Sequence, residues 1–165
     1  MSKSSTENAP EKNAPTSTGG FWCGVRADTV TVQTKERVEL KDITGEIVEL
    51  VRRSGVRDGI VSIWSMHTTC AVFINEAQRA LHADIKRLLE AMVERHADWM
   101  HNDPQHSDCD RVNADSHLRA MLLGHSLTLQ VSGGEPVLGQ WQRVLVAELD
   151  GPRSRTLRVQ VMGVA

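Results

Sequence analysis

Apolar and polar positions along the chain follow two periods, and the changes from one to the other mark out its elements. Between Ala27 and Val38 the residues Val30, Val32 and Thr34 recur at every second position until the charged run Lys35-Glu36-Arg37, which predicts a strand at a sheet edge. The period then becomes helical. Ile47, Leu50 and Val51 share one face, Asp42 or Thr44 stands where a cap is needed, and Gly55 is placed to end the helix. From Ile60 to Ile74 the chain is too β-branched for a helix and too long for one strand, so two strands or a bent one are expected, hinged near His67-Thr68-Thr69. Next, Ala77, Leu81, Ile85, Leu88, Leu89 and Met92 fall on one helical face, opposite Arg79, His82, Lys86, Arg87 and Glu90, with Asn75 as the expected cap.

A polar connection from Ala97 to Asn113 follows, long for a compact domain and so a candidate for function or disorder. A helix from about Ala114 to Leu123 closes at Gly124. The last third reads as an antiparallel meander: Leu127, Leu129 and Val131 alternate with polar residues, Gly133-Gly134 turns the chain, Val144 and Val146 lie on the next strand, Asp150-Gly151 turns it again, and Leu157, Val159 and Val161 finish it. The fold class is therefore α+β, a compact single domain over residues 21–165 with antiparallel sheets and flanking helices. Residues 1–20, rich in Ser, Thr, Asn, Pro and Gly, bring too little apolar surface to offset ordering entropy and are expected to form a disordered tail.

Composition narrows the partners. Lys plus Arg number 19 against 21 Asp plus Glu, a net charge of −2, so the cationic field that nucleic-acid or anionic-membrane binding relies on is missing. Aromatic residues are 4% with no Tyr, which argues against base-stacking platforms, and the expected partner is a small-molecule substrate. Neither a secretory h-region nor a run of about 20 apolar residues is present. Cys23, Cys70 and Cys109 are an odd number at wide spacing, suited to neither a disulfide framework nor a Cys-x-x-Cys zinc site, and a reducing cytoplasm is the expected location.

Chemistry concentrates in one half of the chain, since all seven histidines lie between His67 and His125. Imidazole serves equally for metal binding and for acid–base work near neutrality. His82 is expected to be solvated, His96 to complement a helix C-terminus, His125 to begin a strand, and His106 to sit in an acidic loop. His67, His101 and His117 fall at element boundaries, where side chains reach across clefts, and are the better candidates. Glu148 occupies the strand face of Val144 and Val146, where an apolar residue is expected; it is either paired with Arg153, Arg155 or Arg158 or catalytic. Gly139-Gln140-Trp141-Gln142 either shapes a pocket or makes a turn with Trp141 in the core. Cys70 reads as a core hydrophobe, and neither a nucleophile elbow nor a phosphate-binding glycine loop is present.

Taken in order, His67-Thr-Thr-Cys-Ala-Val-Phe-Ile-Asn75-Glu76, Trp99-Met-His101-Asn, Asn113-Ala-Asp-Ser-His117 through Gly124-His-Ser126, Leu138-Gly-Gln-Trp-Gln142 and Glu148-Leu-Asp-Gly-Pro-Arg153 resemble the YjbQ-type family of secondary thiamine-phosphate synthases, over roughly Val25 to Gly163. Trp99, Cys70 and Gln140 depart from that pattern, which expects a tyrosine, a small residue and a threonine there. The resemblance implies a homotrimer and a divalent metal, zinc, on His67, His101 and His117, with magnesium as the alternative for a diphosphate substrate. It also implies an enzyme that couples a pyrimidine methyl diphosphate to a thiazole phosphate, with Glu148 and Asn75 catalytic and Gln142, Trp141 and Arg153 binding substrate. Two alternatives stand beside it: a zinc-dependent hydrolase of a small phosphorylated or acyl substrate with Glu148 as base, and a non-catalytic trimer that binds a small molecule or metal.

Overall fold

The computed structural model describes residues 23–165, so the expected tail over residues 1–20 lies outside them. Strand β1 (Gly24–Gln33) turns Val30 and Val32 inward and lies at the edge of a sheet, as the alternation predicts. A short strand β2 (Glu39–Asp42), which the pattern did not announce, leads into helix α1 (Thr44–Ser54). The Asp42 carboxylate accepts from the Thr44 amide at 2.8 Å, Gly55 ends the helix at φ 74°, and Ile47, Leu50 and Val51 are its buried face. Strands β3 (Asp58–Ser65) and β4 (Cys70–Asn75) are the two halves of the long β-branched run, and the break at residues 66–69 sends them into different sheets.

Helix α2 (Arg79–Met92) is capped by Gln78, whose side chain accepts from the Leu81 amide at 2.7 Å, rather than by Asn75. Its predicted apolar face is covered only in part: Leu89 is buried, while Leu88 and Met92 are exposed. Helix α3 (Ala114–Leu123) ends at Gly124 as expected. The remaining strands are β5 (Ser126–Ser132), β6 (Glu135–Pro136), β7 (Arg143–Glu148) and β8 (Ser154–Val164).

These strands form two antiparallel sheets, one of order β1-β8-β3-β5-β6 and one of order β2-β7-β4. The expected meander is therefore not formed. Strand β7 leaves β5 and β8 and runs between β2 and β4, because Val144-Leu145-Val146-Ala147 is a continuous apolar run that requires cover on both faces. Val144 and Val146 pack with Val61, Ile63, Leu157 and Val159 between the sheets, whereas Ala147 and Leu149 pack with Leu40, Ala71, Leu89 and Ala120 beneath α2 and α3. Burial of each such Val, Ile or Leu contributes about 1.5–3 kcal/mol. Among the described residues no helix is long and apolar enough to cross a membrane.

Candidate functional site

The two sheets are tied together at one end by a buried polar clamp. Glu148 closes β7 with no exposed surface, and Arg155, 2% exposed near the start of β8, donates to both of its carboxylate oxygens. The Asp150 amide adds a bond to Oε1 at 2.8 Å, and the Thr34 hydroxyl stands 3.1 Å from Oε2. Arg155 also donates to the Thr69 hydroxyl at 3.0 Å, so the segment between β3 and β4 is held by the same group. Every face of the Glu148 carboxylate is thus engaged, which realises the ion-pair reading of this residue with Arg155 as partner. Cys70, paired with Glu148 across the ladder, has its thiol pushed up by burial and is poorly suited to nucleophilic work.

Two residues further on, Asp150 gathers a second network nearer the surface. Arg37 donates to its Oδ1 at 3.0 Å, and Arg153 donates to Oδ2 at 2.8 Å, with Arg111 at 3.4 Å from the same oxygen. Asn113, immediately before α3, donates its amide NH2 to Oδ2 at 2.9 Å, and its own oxygen lies 3.3 Å from Nε2 of His101. Arg37 also bridges to Asp115 of α3, which Arg119 holds from the next turn. His101 and His117 stand edge to face, ring centroids 4.9 Å apart, in a cleft of about 340 Å³ lined by Trp99, Met100, Ala114 and Leu118. Burial holds the His117 imidazole below the usual histidine range, and the neighbouring His101 acts in the same direction.

His67 does not join that pair. It lines a different cleft, of about 460 Å³, with Trp64, Met66 and His125. Its Nε2 accepts the Thr156 amide at 2.8 Å, so in the neutral ring the proton is on Nδ1 and neither nitrogen is left to ligate a metal. Burial lowers its pKa, and Arg155 lowers it further. Among the described residues no group of three or more His, Cys, Asp or Glu side chains has the spacing of a metal centre. The donor set within one chain therefore does not fit the expected three-histidine zinc site.

Asn75, Trp141 and Gln142 are also separated from the clamp. In the β4–β7 ladder Cys70 faces Glu148 while Asn75 faces Arg143, five residues on, which at strand rise is roughly 17 Å. There the Asn75 oxygen accepts the Glu76 amide, and Gln142 closes its own turn by accepting the Gly139 amide at 2.8 Å. Trp141 lies on the surface of that turn, 65% exposed, rather than in the core. One chain thus links the His101–His117 pair to Arg153 through Asn113 and Asp150, whereas His67 lies within reach of the charges of Arg155 and Glu148, and Asn75, Trp141 and Gln142 lie elsewhere. Of the other histidines, His106 pairs with Asp103 at 2.9 Å, while His82 and His125 are half-buried with Nε2 unpartnered, so His82 is less solvated than its helix face predicts. The sequence reading missed Asp150 as a hub, because Asp-Gly is read first as a turn, and it missed Arg37, Arg111 and Asn113, whose common partner lies up to 113 positions away.

Known proteins share this architecture. Residues 28–164 match the family model described as UPF0047 protein YjbQ-like. A UPF0047 protein of Methanothermobacter thermautotrophicus is 45% identical over 86% of this chain and 97% of its own, and YugU of Bacillus subtilis is 30% identical over 82% and 98%. Among solved structures, a YbjQ-like protein of unknown function from Sulfolobus solfataricus superposes with a TM-score of 0.80 at 35% identity, covering 86% of this chain and 99% of that one. A hypothetical protein of Aeropyrum pernix gives 0.78 at 35% identity over 84% and 98%.

Proposed function

The chain belongs to the UPF0047, YjbQ-like family, and on that premise we propose that it is a cytoplasmic transferase of thiamine-phosphate synthase type, joining a pyrimidine methyl diphosphate to a thiazole phosphate with release of diphosphate. The observation that carries this reading is the crowding of three guanidinium groups, Arg37, Arg111 and Arg153, around the single carboxylate of Asp150 beside the His101–His117 cleft. With Asp115, which Arg37 and Arg119 share, two carboxylates still face four guanidinium groups, an excess of positive charge. Arg111 is half exposed and only loosely held at 3.4 Å, so it can turn toward an anionic ligand, and Arg153, a third exposed and fixed by two bonds of 2.8 Å to Asp150, keeps further donors for one. Loss of diphosphate is the difficult step of such a coupling, and preorganised cations at the leaving oxygens lower its barrier.

In this reading Glu148 does not exchange protons with substrate; it holds Arg155 and the Asp150 backbone in place. The hydrolytic alternative needs Glu148 as a free base, and nothing in its surroundings favours that. Asn75, Trp141 and Gln142 would reach substrate from a neighbouring copy, which is the role we give the homotrimer; the exposed Ile60 and Trp64 on the open face of the five-stranded sheet support such an assembly.

The full-length chain, incubated with both precursors and magnesium, should yield thiamine phosphate and diphosphate in equal amounts by mass spectrometry. Arg153→Ala and Arg111→Ala should each lower the rate, on the order of 100-fold for the better placed group. Hydrolysis of one precursor alone, or no turnover with both, would overturn the proposal, and light scattering that shows a monomer would remove the intersubunit part of it.

A further inference from the structure

The hydrogen bonds around Asn113 fix more than the position of a loop. Asn113 is 4% exposed, so water does not complete its bonding, and its amide must match the groups that flank it. On one side is Oδ2 of Asp150, a carboxylate oxygen that already accepts from Arg153 and Arg111, while Arg37 donates to its Oδ1, so that it meets Asn113 as an acceptor. The NH2 of Asn113 therefore faces Asp150, and its carbonyl oxygen faces Nε2 of His101 at 3.3 Å. A carbonyl oxygen can only accept, so Nε2 must carry the proton, and the lone pair of the neutral ring is left on Nδ1. His67 is fixed in the opposite sense, with its proton on Nδ1.

We infer that Asn113 and Asp150 are positioning residues that lock His101 as the Nε2–H tautomer and so present its Nδ1 as the proton acceptor of the His101–His117 cleft. The charges that face this assembly come from every element around it: Arg37 from the segment between β1 and β2, Arg111 from the long connection, Asp115 from α3, and Arg153 from the β7–β8 turn. With Asp150 neutralised the demand on the Asn113 amide is lifted, because a second amide can meet either of its ends. The functional meaning of the tautomer rests on the cleft being the reactive site, as proposed above; the tautomer itself does not.

Two-bond proton–nitrogen correlation spectra of the full-length protein with ¹⁵N-histidine, recorded above pH 7.5 and assigned with His101→Gln, read the tautomer directly. Wild-type His101 should show a single form, with Nε2 protonated and Nδ1 at the downfield position of a bare ring nitrogen. Asp150→Asn and Asn113→Leu should each convert it to a mixture in which Nδ1–H is populated, while His67 keeps its own pattern. A mixed or Nδ1–H population in the wild-type protein overturns the inference without any variant having to fold, and so does an unchanged His101 spectrum in two folded variants. If the coupling assay fails while these spectra hold, the transferase reading falls and the positioning role stands.

Discussion

Replacement of Glu148 by alanine should unfold the protein far more readily than it alters any exposed chemistry. The carboxylate has no exposed surface and Arg155 is 2% exposed, so the substitution leaves a guanidinium in the interior with hydrogen bonds to the Thr69 hydroxyl and carbonyl alone and no carboxylate in contact with it. Breaking a buried pair from one side costs about 3–5 kcal/mol, because the surviving charge is stranded rather than because the pair itself was strongly favourable. The Asp150 amide loses its acceptor as well, adding about 1 kcal/mol. The total, roughly 4–6 kcal/mol, is a large part of the 5–15 kcal/mol that holds a typical domain together. Equilibrium urea unfolding, followed by far-ultraviolet circular dichroism, measures it. The same reasoning predicts that Glu148→Leu combined with Arg155→Met recovers most of the loss, since apolar groups of similar volume replace both charges at once. A cost below about 1 kcal/mol for Glu148→Ala, or a double variant as unstable as the single one, would show that the clamp does not join the two sheets.

Gly151 packs against this clamp, and a methyl group there would sit on the Glu36 carbonyl oxygen and 2.7 Å from Cγ of Glu148. Gly151→Ala should therefore cost about 2 kcal/mol as overpacking, a fall of roughly 4–8 °C in Tm by calorimetry, and an unchanged Tm would contradict the packing. Stability should also decline with acid. Burial depresses the pKa of both His67 and His117 in the folded chain, so above pH 6.5 neither state binds these protons, whereas below it the unfolded chain takes them up first. The unfolding free energy should fall as pH drops from 6.5 through the lowered folded values, and the slope should be shallower in a His67→Gln, His117→Gln variant; equal slopes would remove these two rings as its cause.

Local signals in the sequence predicted the elements that local physics decides. Gly55 and Gly124 end α1 and α3 where a chain-terminating glycine was expected, and the β-branched run from Ile60 divides where its polar hinge lies. Strand β7 was misplaced for the same reason that these were found. Its apolar residues were matched to an alternating pattern, whereas its burial on both faces is set by α2, α3 and the opposite sheet, none of which is near it in sequence. Glu148 was visible as a misfit on an apolar face, yet its partner was one of three arginines until register chose Arg155. The site divides along the same line. His101 and His117 are 16 residues apart and meet because the connection before α3 folds back onto its first turn, where the Asn102 side chain accepts the Ala114 amide. Residue type, position at an element boundary and the family resemblance all group His67 with them, but the Thr156 amide, 89 residues away, takes its lone pair. Which residues carry chemistry is thus legible from their types, and which of them act together is set by Asp150, whose partners come from three segments: Arg153 from its own turn, and Arg37 and the pair Arg111 and Asn113 from two others that only the folded chain brings to it.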